Sequence, residues 1–342
     1  MERYNKLNAS QWEKIISFER TPRWTISFYR YHQIKNPQLF RDYLFVPLEH
    51  LQVLGRIYVA LEGINAQVSV PTIHYQAFLD FIQDISFLKK VRMNFAMNHD
   101  NKSFLKLTIK VKNRIVADGL ENNPIDVSKK GEYLNAERFN QMLEDSDSLC
   151  VDIRNHYESE IGHFQSAIRP DVDTFRDSLP MIEKELSPYK SDKKILMYCT
   201  GGIRCEKASA YLIRKGFKHV YQLQGGIINY LREVQKKQLP NKFLGKNFVF
   251  DHRLNEMGSQ QIISKCHQCG QPCDQHTNCA NQACHLLFIQ CPDCKAKYDH
   301  CCCEKCQTII HLPEWEQKQL RKNQPSGHQI FKKGRYKEIV RN

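Results

Sequence analysis

The feature that most restricts how this chain can fold is a run of cysteines: eleven of its fourteen fall between residues 266 and 306. Cys266 and Cys269, Cys291 and Cys294, and Cys303 and Cys306 each have the C-x-x-C spacing that lets two thiolates reach one metal ion. Cys279 and Cys284 supply a fourth pair with a longer knuckle, which completes two tetrahedral sites. Cys273, Cys301 and Cys302 stay unassigned, and His267, His276, His285 and His300 are alternative ligands. The apolar content of the run, mainly "HLLFIQ", is too small to fold it unaided, so structural zinc is expected to hold it together. An iron–sulfur cluster or disulfides are the competing uses; repeated knuckles favour redox-inert zinc, and such density fits a reducing compartment.

A chain of 342 residues exceeds what one hydrophobic core usually spans, so two or three domains are expected. No stretch approaches the roughly 18 apolar residues of a membrane helix, and the start lacks the apolar block of a secretion signal. The chain therefore reads as cytoplasmic, with no membrane partner. Its 50 Lys and Arg against 37 Asp and Glu give a net charge of +13, which favours polyanions such as nucleic acid. Nothing in the composition sets an oligomeric state.

After a leader helix over residues 1–21, the order strand, helix, strand, strand, helix, strand over residues 22–118 predicts a ferredoxin-like (acylphosphatase-like) α+β sandwich. The two middle strands, in "RIYVALEGINAQVSV", flank a Gly-Ile-Asn turn, and "FLKLTIKVKN" supplies the last strand. Helices would cover one sheet face. On the open face Lys106, Lys110 and Lys112, beside Phe28 or Tyr29, could bind RNA; such lysines also serve simply to block edge pairing.

A polar stretch over residues 119–133 reads as a linker. Beyond it, "SLCVDIR", "KKILMYC" and "HVYQLQGG" are short apolar strands alternating with helical patterns, which predicts a parallel α/β sheet over residues 134–237. Residues 238–265 read as an extended connector before the cysteine-rich region. The tail over residues 307–342 is basic, and Lys332, Lys333 and Arg335, among Phe331 and Tyr336, could clamp a phosphate backbone or fray into solvent.

Cys199 directly follows the apolar strand "ILMY", at the carboxyl end where parallel sheets collect functional groups. Thr200, Gly201, Gly202 and Ile203 follow, then Arg204, and paired glycines let successive backbone N–H groups turn inward as an anion nest at a helix start. Such surroundings lower a cysteine pKa from about 8.5 toward about 4 to 7 and make Cys199 a nucleophile. Cys150 reads as a small core hydrophobe. A phosphatase of the protein-tyrosine type needs arginine six positions after its cysteine; here that position is Cys205.

"CTGGIR" resembles the six-residue active loop of rhodaneses, and "VDIRNHYESEIGHFQSAI" and "VYQLQGGIINYL" resemble flanking segments of that fold. With "RIYVALEGINAQVSV", "GKNFVFDHRL" and the cysteine run, the chain is similar to the rhodanese-containing tRNA uridine hydroxylases. That resemblance implies oxygen-dependent conversion of the wobble uridine, position 34, to 5-hydroxyuridine. It also implies an anticodon stem-loop as partner, molecular oxygen as cosubstrate and no organic cofactor. Cys199 takes the place of the family's reactive cysteine, which carries a persulfide from a donor protein or acts directly, and Cys205 that of its second thiol. Arg204 is expected to hold a phosphate or oxyanion, and Asp152 and Arg154 to brace the loop by ion pairing. Small-molecule sulfur transfer and a non-catalytic, zinc-stapled RNA-binding protein are the alternatives.

Overall fold

The computed structural model describes residues 21–97, 103–120, 124–322, 332–333 and 335–337, so the expected leader helix lies, but for its last residue, outside the described residues. The first domain runs β1 (Arg23–Tyr31), α1 (Pro37–His50), β2 (Leu54–Ala60), β3 (Gly63–Pro71), α2 (Tyr75–Asp84) and β4 (Asn94–Phe95). Asn36 caps α1 by accepting from the Leu39 N–H at 2.9 Å, with Pro37 in the first turn. Strand order β4-β1-β3-β2, with antiparallel neighbours, is the ferredoxin-like sheet. Leu44, Leu48, Phe78 and Ile82 on the helices pack against Ile26, Phe28, Ile57, Ile64 and Val68 on one sheet face.

Three details differ from the sequence expectation. The closing ferredoxin strand is the two-residue β4, whereas the alternating "LTIKV" forms β5 (Leu107–Val111), an extra strand lying parallel to β2 at the opposite edge. Leu61 and Glu62 make the turn between β2 and β3, and Gly63 already pairs with Tyr31. At φ +144° Gly63 lets the chains meet where a Cβ would lie 2.1 Å from the Arg30 carbonyl oxygen. Phe28 is 2% exposed and belongs to the core, so of the two candidate aromatics only Tyr29 lies on the open face.

The second sheet is parallel, with order β6-β10-β9-β7, from β6 (Glu132–Leu134), β7 (Ser148–Asp152), β9 (Lys194–Tyr198) and β10 (Val220–Leu223). Helices α3 (Ala136–Leu143), α5 (Phe175–Leu186), α6 (Ile203–Arg214) and α7 (Gly226–Lys237) accompany it. Strand β6 starts inside the expected linker, because Glu132 and Tyr133 pair with Tyr221 and Gln222. The expected connector is also structured: β11 (Phe243–Phe248) lies between β12 (Asn255–Met257) and β8 (Gly162–Phe164), which follows the short α4 (His156–Glu160). The cysteine-rich region adds the hairpin β13 (His276–Asn278) and β14 (Leu287–Ile289), α8 (Pro292–Lys297) and α9 (Glu304–Ile310), followed by the exposed α10 (Glu314–Lys322). No helix among the described residues is long and apolar enough to cross a membrane.

The open face of the first sheet turns toward the second domain. Alternation along β1 places Tyr29 and Tyr31 on that face; their hydroxyls donate to Glu206 Oε1 at 2.9 Å and to the Ile203 carbonyl at 3.1 Å, both on α6. Lys207, 1% exposed, joins Glu62 at 2.8 Å and Asp118 across the same junction.

Candidate active site

Strand β9 is apolar and buried, and it delivers Cys199 to its carboxyl end at 0% exposure. The chain then turns through Thr200, Gly201 and Gly202, whose φ of +98° suits glycine alone, and Gly202 N donates to Cys199 Sγ at 3.2 Å. A Cβ on Gly202 would lie 2.9 Å from the Tyr29 hydroxyl, so this turn sits directly beneath the first domain. Burial pushes the Cys199 thiol up, but the Cys205 thiol, the Arg204 charge and the N–H groups of Cys205 and Gly202 outweigh it and hold the pKa at about 6. Cys205, buried beside that charge, is pushed well above the usual thiol value and serves as the donor of the pair. Cys199 is therefore a thiolate near neutrality and Cys205 a thiol. Cys150, also buried, is raised by desolvation.

Arg204 does not project freely. Its guanidinium grips Glu158 through two bonds of 2.5 and 2.8 Å, with Glu158 0% exposed, and lies 5.7 Å from the Phe250 ring centre. Glu158 also accepts from Thr200 Oγ1 at 3.3 Å and from the Asn155 N–H at 3.0 Å, so it ties the loop to α4. Arg204, expected to hold an oxyanion or phosphate, is held in this fork, from which its charge acts on Cys199. Asp152 and Arg154 form a second, fully buried pair at 2.7 Å. Sequence reasoning did not single out Glu158 or Phe250, although Glu158 stands in the quoted "ESEIGH" stretch.

Between the loop and the sheet above it lies a cavity of about 1060 Å³. Its wall includes Cys199, Thr200, Gly201, Ile203 and Arg204 on one side and Tyr29, Arg56, Tyr58, Asn65 and Gln67 on the other. Cys199 thus lines this chamber. Of the three strand lysines, Lys112 lines the cavity and lies 5.8 Å from the Tyr58 ring centre, while Lys106 and Lys110 are exposed outside it.

The basic tail divides similarly. Lys332 is exposed, Lys333 is drawn 5.2 Å from the Tyr157 ring centre with its pKa lowered by burial, and Arg335 is ion-paired with Asp171 at 2.7 Å and Asp173 at 2.9 Å. Tyr336 stacks on Phe288, and Phe331 lies outside the described residues.

Three family descriptions match in succession: the UPF0176 acylphosphatase like domain over residues 23–115, the rhodanese-like domain over 135–233 and the rhodanase C-terminal segment over 244–307. The tRNA uridine(34) hydroxylase of Photorhabdus laumondii is 50% identical over 335 residues, covering 98% of this chain and 95% of that one. That of Pectobacterium atrosepticum is 49% identical over 333 residues, covering 97% and 94%. The chain belongs to the tRNA uridine(34) hydroxylase family. In this member of the family the thiol loop falls within the rhodanese-like segment, and the chamber above it is closed by the acylphosphatase-like one.

Its rhodanase C-terminal segment holds two groups of four cysteines whose sulfurs lie within 4.8 Å of one another: Cys266, Cys269, Cys291 and Cys294, and Cys279, Cys284, Cys302 and Cys306. Sulfur–sulfur separations of 3.6 Å (Cys269 to Cys291) and 3.7 Å (Cys284 to Cys302 and Cys302 to Cys306) are far longer than a disulfide's. They match the spacing of about 3.8 Å for four sulfurs set tetrahedrally about 2.3 Å from zinc. Either group could hold a metal ion, and the donor set suits structural zinc. Cys302 replaces the expected Cys303. Cys306 sits in the first turn of α9, and the residue brought back toward it is Cys302, whose N–H donates to Cys279 Sγ at 3.4 Å; Cys303 stays half-exposed at the helix cap. The ligand pairs alternate along the chain, first with third and second with fourth, so the two sites brace each other.

Proposed function

We infer that this chain hydroxylates the uridine at position 34 of tRNA, the activity named for its relatives, and that the oxygen enters at carbon 5. The observation that carries the assignment of chemistry is a thiolate held at about 6 in the wall of a chamber large enough for a nucleotide. An anticodon loop can splay an unpaired base into such a chamber at low cost. The Cys199 sulfur, or a persulfide carried on it from a donor protein, adds to C6 of uracil. This raises electron density at C5, where molecular oxygen reacts. Once C5 carries oxygen, the C5 proton is lost and the C6–S bond breaks, which restores the ring double bond and returns the sulfur. Gly202 N–H holds the sulfur anion before and after the addition.

One oxygen atom enters the base and the other leaves as water, which requires two electrons and two protons. The Cys199 and Cys205 pair supplies both electrons by closing to a disulfide, the Cys205 thiol gives one proton and solvent the other, so uridine, oxygen, one thiolate, one thiol and one proton give 5-hydroxyuridine, water and one disulfide. A further thiol reductant reopens the pair for the next turnover. Arg204 and Glu158 keep the loop shaped, and zinc bound by the two cysteine groups would hold the cysteine-rich region in place.

Undermodified tRNA incubated with the protein in air and digested for mass spectrometry tests this reading. We expect 5-hydroxyuridine with wild type, none under nitrogen, none with Cys199→Ser and none with Cys205→Ser, which lacks the partner thiol that closes the disulfide. Sulfur transfer to cyanide without any modified base would instead identify a sulfurtransferase.

A further inference from the structure

The anion loop holds the sulfur, and discrimination between uracil and cytosine needs polar groups at the far edge of the base. The wall opposite supplies them. Asn94, Ser27, Gln67 and Arg56 face one another across β4, β1, β3 and β2 as direct register partners, so their side chains share one face of the sheet. All four line the cavity. At the loop end of this row Asn94 Nδ2 donates to the Gly201 carbonyl at 3.4 Å. Gln67 stands two strands farther out, about 10 Å away, a gap that a pyrimidine ring with a contact on each edge fills.

The orientation of the Gln67 amide is set by a chain of hydrogen bonds that begins at a backbone carbonyl. The Ile115 carbonyl can only accept, and Asn65 Nδ2 donates to it at 3.1 Å. That turns Asn65 Oδ1 toward Gln67, whose Nε2 donates to it at 3.4 Å. One N–H of Gln67 is thereby engaged, which fixes the sense of the amide, and its Oε1 meets no donor among the described residues although the side chain lines the cavity.

The geometry points to Gln67 as the residue that selects uracil, its Oε1 accepting the N3–H of the base while C5 and C6 face Cys199. This rests on the tRNA uridine reading above. Uracil carries a donor at N3 between two carbonyl acceptors; cytosine carries a lone pair at N3 beside an amino group. A fixed acceptor pairs with the first and opposes the second, and a site built to hydrogen-bond a substrate N–H rejects an analogue that lacks it far more strongly than a pocket built on shape.

The test uses the full-length protein and three anticodon stem-loops carrying uridine, 3-methyluridine or cytidine at position 34, with single-turnover hydroxylation read by mass spectrometry and binding read separately. Wild type is expected to lose at least about tenfold in kcat/KM on 3-methyluridine, with stem-loop affinity unchanged and no product from cytidine. Gln67→Met, close in volume, should lose a similar factor on uridine and show no further penalty from the N3 methyl group. Asn65→Leu should weaken the methyl penalty, because the amide of Gln67 is then free to turn. Wild type acting equally on uridine and 3-methyluridine, or Gln67→Met keeping the full penalty, overturns the assignment to Gln67 alone. A wild-type protein inactive on uridine itself overturns the reading beneath it and takes this one with it.

Discussion

Cys199 combines two properties that usually oppose each other, full burial and a lowered pKa. Burial alone would keep the proton on the sulfur; the Cys205 thiol, Arg204 and two backbone N–H groups reverse that balance. The folded value lies below that of a free thiol, so the sulfur is anionic at neutral pH and takes up a proton as pH falls through about 6. Thiolate ultraviolet absorbance, taken as wild type minus Cys199→Ser, should titrate there. In Cys205→Ala the midpoint should rise toward the ordinary thiol value of about 8.5; a midpoint that does not move would deny Cys205 its donor role. The nucleophile, the nest and Cys205 are legible from residues 199–205 because they are local in sequence. Glu158 is not, since its partner Arg204 lies 46 positions away and nothing in a motif says which arginine a glutamate will meet.

Among the elements, legibility followed length and period. The alternating "LKLTIKV" announces a strand but not its place: β5 sits parallel to β2, while the two-residue β4, too short to show a period, closes the ferredoxin order. The connector hid β11 for a related reason, because that strand earns its ladder by pairing with β8, some eighty residues earlier by register from Phe243 to Phe164. In the cysteine-rich region spacing favoured Cys303, and only the turn into α9 substitutes Cys302. Metal analysis should therefore find two zinc ions per chain in wild type and in Cys303→Ser, but one in Cys302→Ser. Chelation should cost the region its folded structure, read as loss of amide-exchange protection at Leu287 and Ile289.

At the scale of the whole molecule, each domain was legible by itself and their junction was not. The net charge of +13 suggested lysines free for RNA, yet Lys207 is spent inside the protein, bridging Glu62, which lies 145 positions away, and Asp118. Removing one member of a buried cluster leaves the others uncompensated, which typically costs about 3–5 kcal/mol. Lys207→Met should therefore lower the urea midpoint of the full-length protein markedly and separate the unfolding of the first domain from the second; an unchanged single transition would show the bridge to be dispensable. The alternating cysteine sets carry a different implication. With both ions bound, a cut in the backbone anywhere between Cys284 and Cys291 would leave two fragments that neither metal lets go, because each ion has one pair of its sulfurs on either side of the break. Continuity of the polypeptide there would then be a matter of synthesis rather than of holding together.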